Sequence, residues 1–259
     1  LPLLQTGKKY IIIREQTMND SILGISRNEE LCAGIYEMTV SSPDGEFSAA
    51  PGQFAEIRLR DYFLRRPISI ADVCGEKIIF VYKVVGGGTD AMSKMKAGDS
   101  IGVMAPLGNG YDIAKADDRP YVIGGGLGVP PMYYLTEKLI ESGRRPVVIL
   151  GYNTSSEMFY SDKFEKLGAD VSITTADGSC GLKGFVTDAF PPERPYVFAC
   201  GPEPMLKAVY DISSAGQFSF EARMGCGFGA CMGCSRKMKD GYKRICKEGP
   251  VFDREDILW

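Results

Sequence analysis

The sequence predicts a multidomain fold: an antiparallel β-barrel over residues 1–117, an α/β parallel-sheet domain over 118–216, and a small C-terminal loop domain over 217–259. Three observations predict it. Up to about residue 115, short alternating stretches with Gly and Pro punctuation and little helical periodicity read as strands. From there to 216 strand-like and helix-like runs alternate, the pattern of an open, mostly parallel sheet. The final stretch is rich in Cys, Gly and basic side chains and looks too short and irregular to own a core, so something inside it is expected to order it.

The elements follow in order. In "PGQFAEIRLR" the Pro51-Gly52 turn launches a strand with Ala55, Ile57 and Leu59 on one side and Glu56, Arg58 and Arg60 on the other. "KIIFVYKVV" reads as a more fully buried strand and "AGDSIGVMAPLGNG" as a strand between two turns; strands this closely spaced suggest a small barrel. "YVIGGG" is then a strand and "PPMYYLTEKLIESG" a helix, with Pro130 and Pro131 suited to its first turn and Gly143 to its C-terminal cap. "RPVVILG", "DVSITT" and "YVFACG" are further strands, with "DKFEKLG" and "EPMLKAVYDI" as helices.

Composition excludes several classes. Apolar residues make up 44% and charged residues 24%, ordinary for a globular protein, and a net charge of −3 gives no global field for nucleic acid or an anionic membrane. No apolar run approaches the roughly 20 residues of a membrane helix. The opening "LPLLQTGKKYIII" has neither a signal peptide's order of regions nor an initiator Met, as in a trimmed terminus; a cytoplasmic location is expected. The chain of 259 residues contains no histidine, which removes Ser–His and Cys–His nucleophiles, His-ligated metals and the Rieske type of centre.

Eight cysteines are many for a reducing compartment unless some are ligands. Cys32, Cys74, Cys180 and Cys200 are scattered, whereas Cys226, Cys231 and Cys234 in "MGCGFGACMGC" spell C-x4-C-x2-C, with Cys246 a plausible fourth. That is the ligand spacing of plant-type 2Fe–2S ferredoxins, and Gly225, Gly227, Gly229 and Gly233 would let backbone N–H groups approach a cluster's sulfurs. A structural zinc site is the alternative, although zinc prefers two C-x2-C pairs and only Cys231 and Cys234 form one. The short gap to Cys246 departs from plant-type ferredoxins, so the likeness is to the ligand loop alone.

Two further stretches suit anionic, ring-bearing cofactors. In "RRPISI", Arg66 offers a guanidinium fork for a phosphate and Ser69 a hydroxyl for a polar ring edge; taken alone, the stretch reads first as an ordinary edge strand with surface arginines. In "VVGGGTDAMS", Gly86 to Gly88 and Thr89 can bring bare N–H groups to a pyrophosphate. "GGGLGVPP" sits where a strand gives way to a helix, but Gly124, Gly125, Gly126 and Gly128 lack the third glycine of G-x-G-x-x-G, so a standard Rossmann dehydrogenase is not expected. Cys200, Gly201 and Pro202 form a turn at a strand end, and Cys200 read alone is a small buried thiol.

Together these motifs resemble the ferredoxin–NADP reductase superfamily. The resemblance implies that Arg66, Pro67, Ile68 and Ser69 hold FAD, that Gly88 and Thr89 complete its site, and that Val81, Tyr82 and Lys83 lie along it. It also places Cys200, Gly201 and Pro202 beside the nicotinamide. With "FLRRPISI", "PLGNGY", "IGGGLGVPPMYYL", "TTADGS", "CGPEPML", "CGFGACMGC" and "CKEGPVF" in order over nearly the whole chain, the sequence resembles the electron-transfer subunits of type B dihydroorotate dehydrogenases.

That resemblance implies an FAD-binding barrel, an NAD-binding domain and a 2Fe–2S domain ligated by Cys226, Cys231, Cys234 and Cys246. It further implies an FMN-containing catalytic subunit as partner, in a heterotetramer of two plus two, with electrons passing from dihydroorotate through FMN, the 2Fe–2S cluster and FAD to NAD in pyrimidine (UMP) biosynthesis. Related FAD/2Fe–2S subunits of sulfite reductases, hydrogenases and NADH–ferredoxin oxidoreductases share the layout, and a zinc-stabilised interaction protein is the alternative of another class. NAD is expected over NADP, because "GYNTSSE" has no cation before Lys163 and Glu157 has the wrong sign for a 2′-phosphate; only Arg144 or Arg145 brought round would change that. Arg236, Lys237, Lys239, Lys243, Arg244 and Lys247, opposed only by Asp240 and Glu248, suggest a basic rim that docks the partner.

Overall fold

The computed structural model describes residues 18–42 and 45–259; the N-terminal stretch inspected for a signal peptide lies outside them. Six strands come first: β1 (Asn19–Cys32), β2 (Ile35–Ser41), β3 (Phe54–Arg58), β4 (Arg66–Cys74), β5 (Lys77–Lys83) and β6 (Ser100–Leu107), with helix α1 (Gly87–Ser93) between the last two. They close antiparallel into a barrel of order β1-β2-β5-β4-β3-β6. Closure follows from the period-two pattern: Ala55 and Ile57 of β3 and Ile78, Phe80 and Tyr82 of β5 point into one core with Met38, Val40 and Ile70. Val81 packs outward into a second core, so β5 is covered on both faces.

The next elements are β7 (Tyr121–Gly125), α2 (Val129–Glu141), β8 (Val147–Tyr152), α3 (Ser161–Lys166), β9 (Asp170–Thr175), β10 (Leu182–Lys183), β11 (Tyr196–Cys200), α4 (Glu203–Ile212) and β12 (Ala215–Ser219). The expected signals stand at the ends of α2: Pro130 and Pro131 in its first turn, and Gly143 at φ +87° just past its end. The tail supplies a hairpin of β13 (Ser235–Met238) and β14 (Gly241–Arg244), then β15 (Val251–Asp253). The second sheet runs β10-β9-β8-β7-β11-β12-β15, parallel except that β15 lies antiparallel on β12. Strand order reverses between β7 and β11, the switch point at whose carboxyl end α/β proteins bind ligands.

The tail is not a separate lobe. β12 runs across the 216/217 boundary and β15 returns the chain to the same sheet. Met238, Ile245, Cys246, Phe252 and Ile257 share one core with Phe218 and Phe220 of the sheet side and with Phe54 and Met104 of the barrel. Apolar burial therefore orders much of this segment, beside whatever its thiols bind.

The barrel and the sheet domain are locked by buried polar contacts. Tyr134 of α2 donates its hydroxyl to Ala49 O at 2.8 Å, and Tyr111 donates to Ala199 O at 2.9 Å. Glu37 of β2, almost fully buried, accepts from Lys163 at 2.8 Å, from Arg27 at 2.9 Å and from the Tyr160 hydroxyl. Removing one such hydroxyl strands a buried carbonyl. Tyr134→Phe should cost about 1 kcal/mol, a fall of roughly 2–4 °C in Tm for a chain this long. An unchanged melting temperature would show that this contact does not hold the two domains together.

Candidate functional site

Where the barrel, the carboxyl ends of β7 and β11 and the tail meet, they enclose a cleft of about 500 Å³, within the usual size range for small-molecule sites. Arg66, Pro67, Ile68 and Ser69 line one wall, with Val81, Tyr82, Lys83 and Thr89 beside them. Gly125, Gly128, Cys200, Gly201 and Pro202 line the opposite side, and Phe220, Met224 and Pro250 close the end towards the tail. The two motif sets, far apart in sequence, thus face one another. Gly124 and Gly126 do not line the cleft: Gly124 is buried in β7, and Gly126 turns the chain at φ +52°.

The barrel wall is built for an anion. The Arg66 guanidinium stacks over the Tyr62 ring, 4.7 Å from its centroid, and donates to Leu64 O. It lies against Gly88, where an added Cβ would come 2.1 Å from Nε, so a larger residue there would displace the guanidinium from this position. The Thr89 hydroxyl is committed to its own loop, accepting from Val85 N at 2.9 Å and Gly86 N at 3.3 Å and donating to Gly86 O at 3.1 Å. Its job is to hold the glycine turn in shape. Tyr82 likewise spends its hydroxyl on Asn28 Oδ1 at 2.9 Å, inside the barrel core.

On the sheet wall, a Cβ on Gly128 would sit 2.0 Å from Cys200 O, so the turn after β7 packs directly on the end of β11. Burial pushes the Cys200 thiol up to about 12, and a hydrogen bond with Ser219 only partly offsets it. The thiol is neutral at any working pH. Arg144 and Arg145 precede β8, at the end of the sheet opposite the cleft. Lys163 is spent on Glu37, so none of these cations comes round to the carboxyl end of β8.

The four tail thiols lie close enough to influence one another. Cys226 and Cys231 interact through their side chains, as do Cys234 and Cys246. Backbone donors converge on the sulfurs: Ala230 N at 3.2 Å and Cys231 N at 3.4 Å on Cys226 Sγ, Gly233 N at 3.5 Å on Cys231 Sγ, and Cys246 N at 3.4 Å on Cys234 Sγ. Burial opposes ionisation of Cys226, but the N–H groups of Cys231, Phe228 and Ala230 outweigh it and bring the thiol below its usual value. Burial and the neighbouring Cys234 push Cys246 the other way.

Two features escaped the sequence pattern. Glu56, expected on the polar face of β3, is fully buried, because Gly227 of the cysteine loop lies on it. Half of the basic rim is paired with acids: Arg236 with Glu203 at 2.7 Å, Lys243 with Asp240 at 2.7 Å, and Arg244 with Glu248. Arg244 also donates to Gly229 O at 2.7 Å, which makes it a clip for the cysteine loop. Exposed Phe228 and Met232 flank the thiols instead.

Residues 221–258 match the model of the iron–sulfur cluster binding domain of dihydroorotate dehydrogenase B, and residues 122–211 that of the oxidoreductase NAD-binding domain. A dihydroorotate dehydrogenase B (NAD(+)) electron transfer subunit from Fusobacterium nucleatum is 40% identical over 250 residues, 90% of this chain and 96% of that one. The subunit of the same name from Clostridium acetobutylicum is 42% identical over 232 residues, 87% of this chain and 92% of that one. The chain belongs to this family.

The solved NADH-dependent reduced ferredoxin–NADP oxidoreductase superposes with a TM-score of 0.83 at 29% identity, covering 95% of this chain and 92% of that one. A ferredoxin NADP+ reductase from Neisseria gonorrhoeae, 16% identical with a TM-score of 0.64 over 74% of this chain and 89% of its own, shares the fold. The chain is thus an oxidoreductase electron-transfer subunit that works beside a catalytic subunit, and its tail is an iron–sulfur segment.

The opposed shifts of Cys226 and Cys246 have a direct chemical reading. In the cluster-free chain at pH 7, iodoacetamide should alkylate Cys226 well before Cys246, since the thiolate is the reactive form. Mass spectrometry over a time course would show it; equal rates at the two sites would contradict the donor arrangement described here.

Proposed function

We propose that the chain passes electrons between NAD and an FMN-bearing dihydroorotate dehydrogenase catalytic subunit, in a cytoplasmic complex of two copies of each, within pyrimidine biosynthesis. The observation that carries this reading is the single cleft in which the barrel motif and the switch-point motif face each other, with the paired thiols on the segment that closes one end. Bound there, FAD supplies hydride exchange with a nicotinamide and single-electron exchange with a 2Fe–2S centre.

The chain's own residues bind and orient. Arg66, fixed by Tyr62 and Gly88, is placed to hold a flavin phosphate, and the Gly86–Gly88 turn, kept in shape by Thr89, offers N–H groups to the same anion. Ser69, Pro67 and Ile68 face the ring, with Val81 and Lys83 along it. Gly125, Gly128 and Cys200 to Pro202 receive the nicotinamide end, Cys200 as a neutral packing group. Cys226, Cys231, Cys234 and Cys246 would hold the 2Fe–2S cluster, which exchanges single electrons when bound. No side chain needs to act as general acid or base, which agrees with the absence of histidine.

The higher identity to dihydroorotate dehydrogenase relatives, against 29% for the ferredoxin–NADP oxidoreductase, favours this reading over a relay subunit of a sulfite reductase, hydrogenase or ferredoxin oxidoreductase. The discriminating experiment is identification of the subunit that co-purifies with the tagged chain. An FMN protein that oxidises dihydroorotate supports the proposal, and any other redox enzyme overturns it.

Three further outcomes are expected. Arg66→Ala removes a charge-assisted phosphate contact worth about 1.5–3 kcal/mol, so FAD should wash out on gel filtration; full retention would remove Arg66 from the site. Turnover with NADH should exceed that with NADPH in a dye-reduction assay, since Glu157 follows β8 and Arg144 and Arg145 lie at the far end of the sheet; equal rates would contradict this. Phe228→Glu with Met232→Glu should weaken partner binding while the iron–sulfur bands persist, and undiminished binding would move the docking face elsewhere.

A further inference from the structure

Glu56 is the buried acid that the cofactor assignments leave without a task. It lies on β3, paired across the ladder with Pro67 of β4, which has no N–H to offer it. It is fully buried, and neither carboxyl oxygen has a hydrogen-bond partner. The nearby cations do not pair with it among the described residues: Arg65 is engaged with Asp20 at 2.7 Å, and Arg66 with Leu64 O and Tyr62. Its other neighbour is the cysteine loop. Gly227, next to Cys226, rests on the Glu56 side chain so closely that a Cβ there would be 2.4 Å from Cγ. The carboxyl thus lies between the loop that carries the thiols and the strand whose Arg66–Ser69 segment lines the cleft.

Unpaired buried carboxyls are rare because desolvation penalises the charge heavily. One kept between two redox sites acts on both through a low dielectric, where a charge is felt much more strongly than in water. We propose that Glu56 is a tuning residue for the one-electron step: it seats the cysteine loop on the barrel and places a negative charge beside the cluster, making the cluster harder to reduce. The inference rests on the assignment of a 2Fe–2S centre to the four tail cysteines. Burial, opposed by Arg65, pushes the carboxyl up to about 7, so the comparison is made at pH 9, on the ionised side of that value.

The test is an EPR-monitored redox titration of the holoprotein at pH 9 for the wild type, Glu56→Gln and Glu56→Asp. Glu56→Gln keeps the shape and removes the charge; it should favour the reduced cluster about tenfold or more, a rise of at least 59 mV for a one-electron couple. Glu56→Asp keeps the charge and should stay within threefold of wild type. A Glu56→Gln potential within threefold of wild type, or a Glu56→Asp shift as large as that of Glu56→Gln, overturns the proposal. Loss of the cluster from both variants overturns it too, since Glu56 would then serve assembly alone. A wild-type protein without iron–sulfur absorbance would instead refute the cluster assignment, which separates the two failures.

Discussion

Phe54 of the barrel, Phe218 of the nucleotide sheet and Phe252 of the tail are buried in one apolar core, and the positions of all three candidate cofactor sites follow from that shared packing. A flavin that trades with a hydride donor on one side and a one-electron centre on the other must touch both, so three segments of sequence have to be held at fixed mutual distances. Interiors packed at crystal-like density transmit such constraints with little slack. Here the tail achieves this by adding β15 to the sheet edge and laying the cysteine loop on β3. The barrel is fixed separately by Tyr134, Tyr111 and the Glu37 cluster.

Electrostatics then divides the labour. The phosphate end of the cleft has Arg66, held by a ring and a glycine rather than by an acid, which leaves its charge for a ligand. The thiol loop has backbone N–H donors, and its one well-placed arginine, Arg244, is neutralised by Glu248 and serves the loop carbonyl of Gly229. The sheet wall offers a protonated Cys200 thiol and the backbone of glycines, with Glu221 also lining the cleft.

Much of this was legible in the sequence because it rests on local signals. Period-two alternation gave β3, apolar runs and turns gave β5 and β6, Pro130–Pro131 and Gly143 bracketed α2, and cysteine spacing marked the metal segment. What was not legible depends on contacts between distant segments. Glu56 sits in a clean polar/apolar alternation, and nothing in "PGQFAEIRLR" says that residue 227 will cover it. The basic run around the last cysteines carries Asp240 and Glu248 in its own sequence, but nothing there shows that the distant Glu203 pairs with Arg236. Gly124 and Gly126 belong to the right motif, but one serves strand packing and the other a turn. The tail, read as irregular, is tied in by single apolar residues too sparse to show a period.

The central claim is that one cleft places a flavin in electronic contact with both a nicotinamide and the tail cluster. Anaerobic addition of NADH to the purified holoprotein, without any partner, tests it most directly, with flavin absorbance and the low-temperature EPR signal followed on the same sample. The account predicts bleaching of the flavin band together with the spectrum of a reduced 2Fe–2S centre. Flavin reduction with a cluster that stays oxidised yet is reduced at once by a stronger chemical reductant of similar size would leave the tail outside the electron path and contradict it.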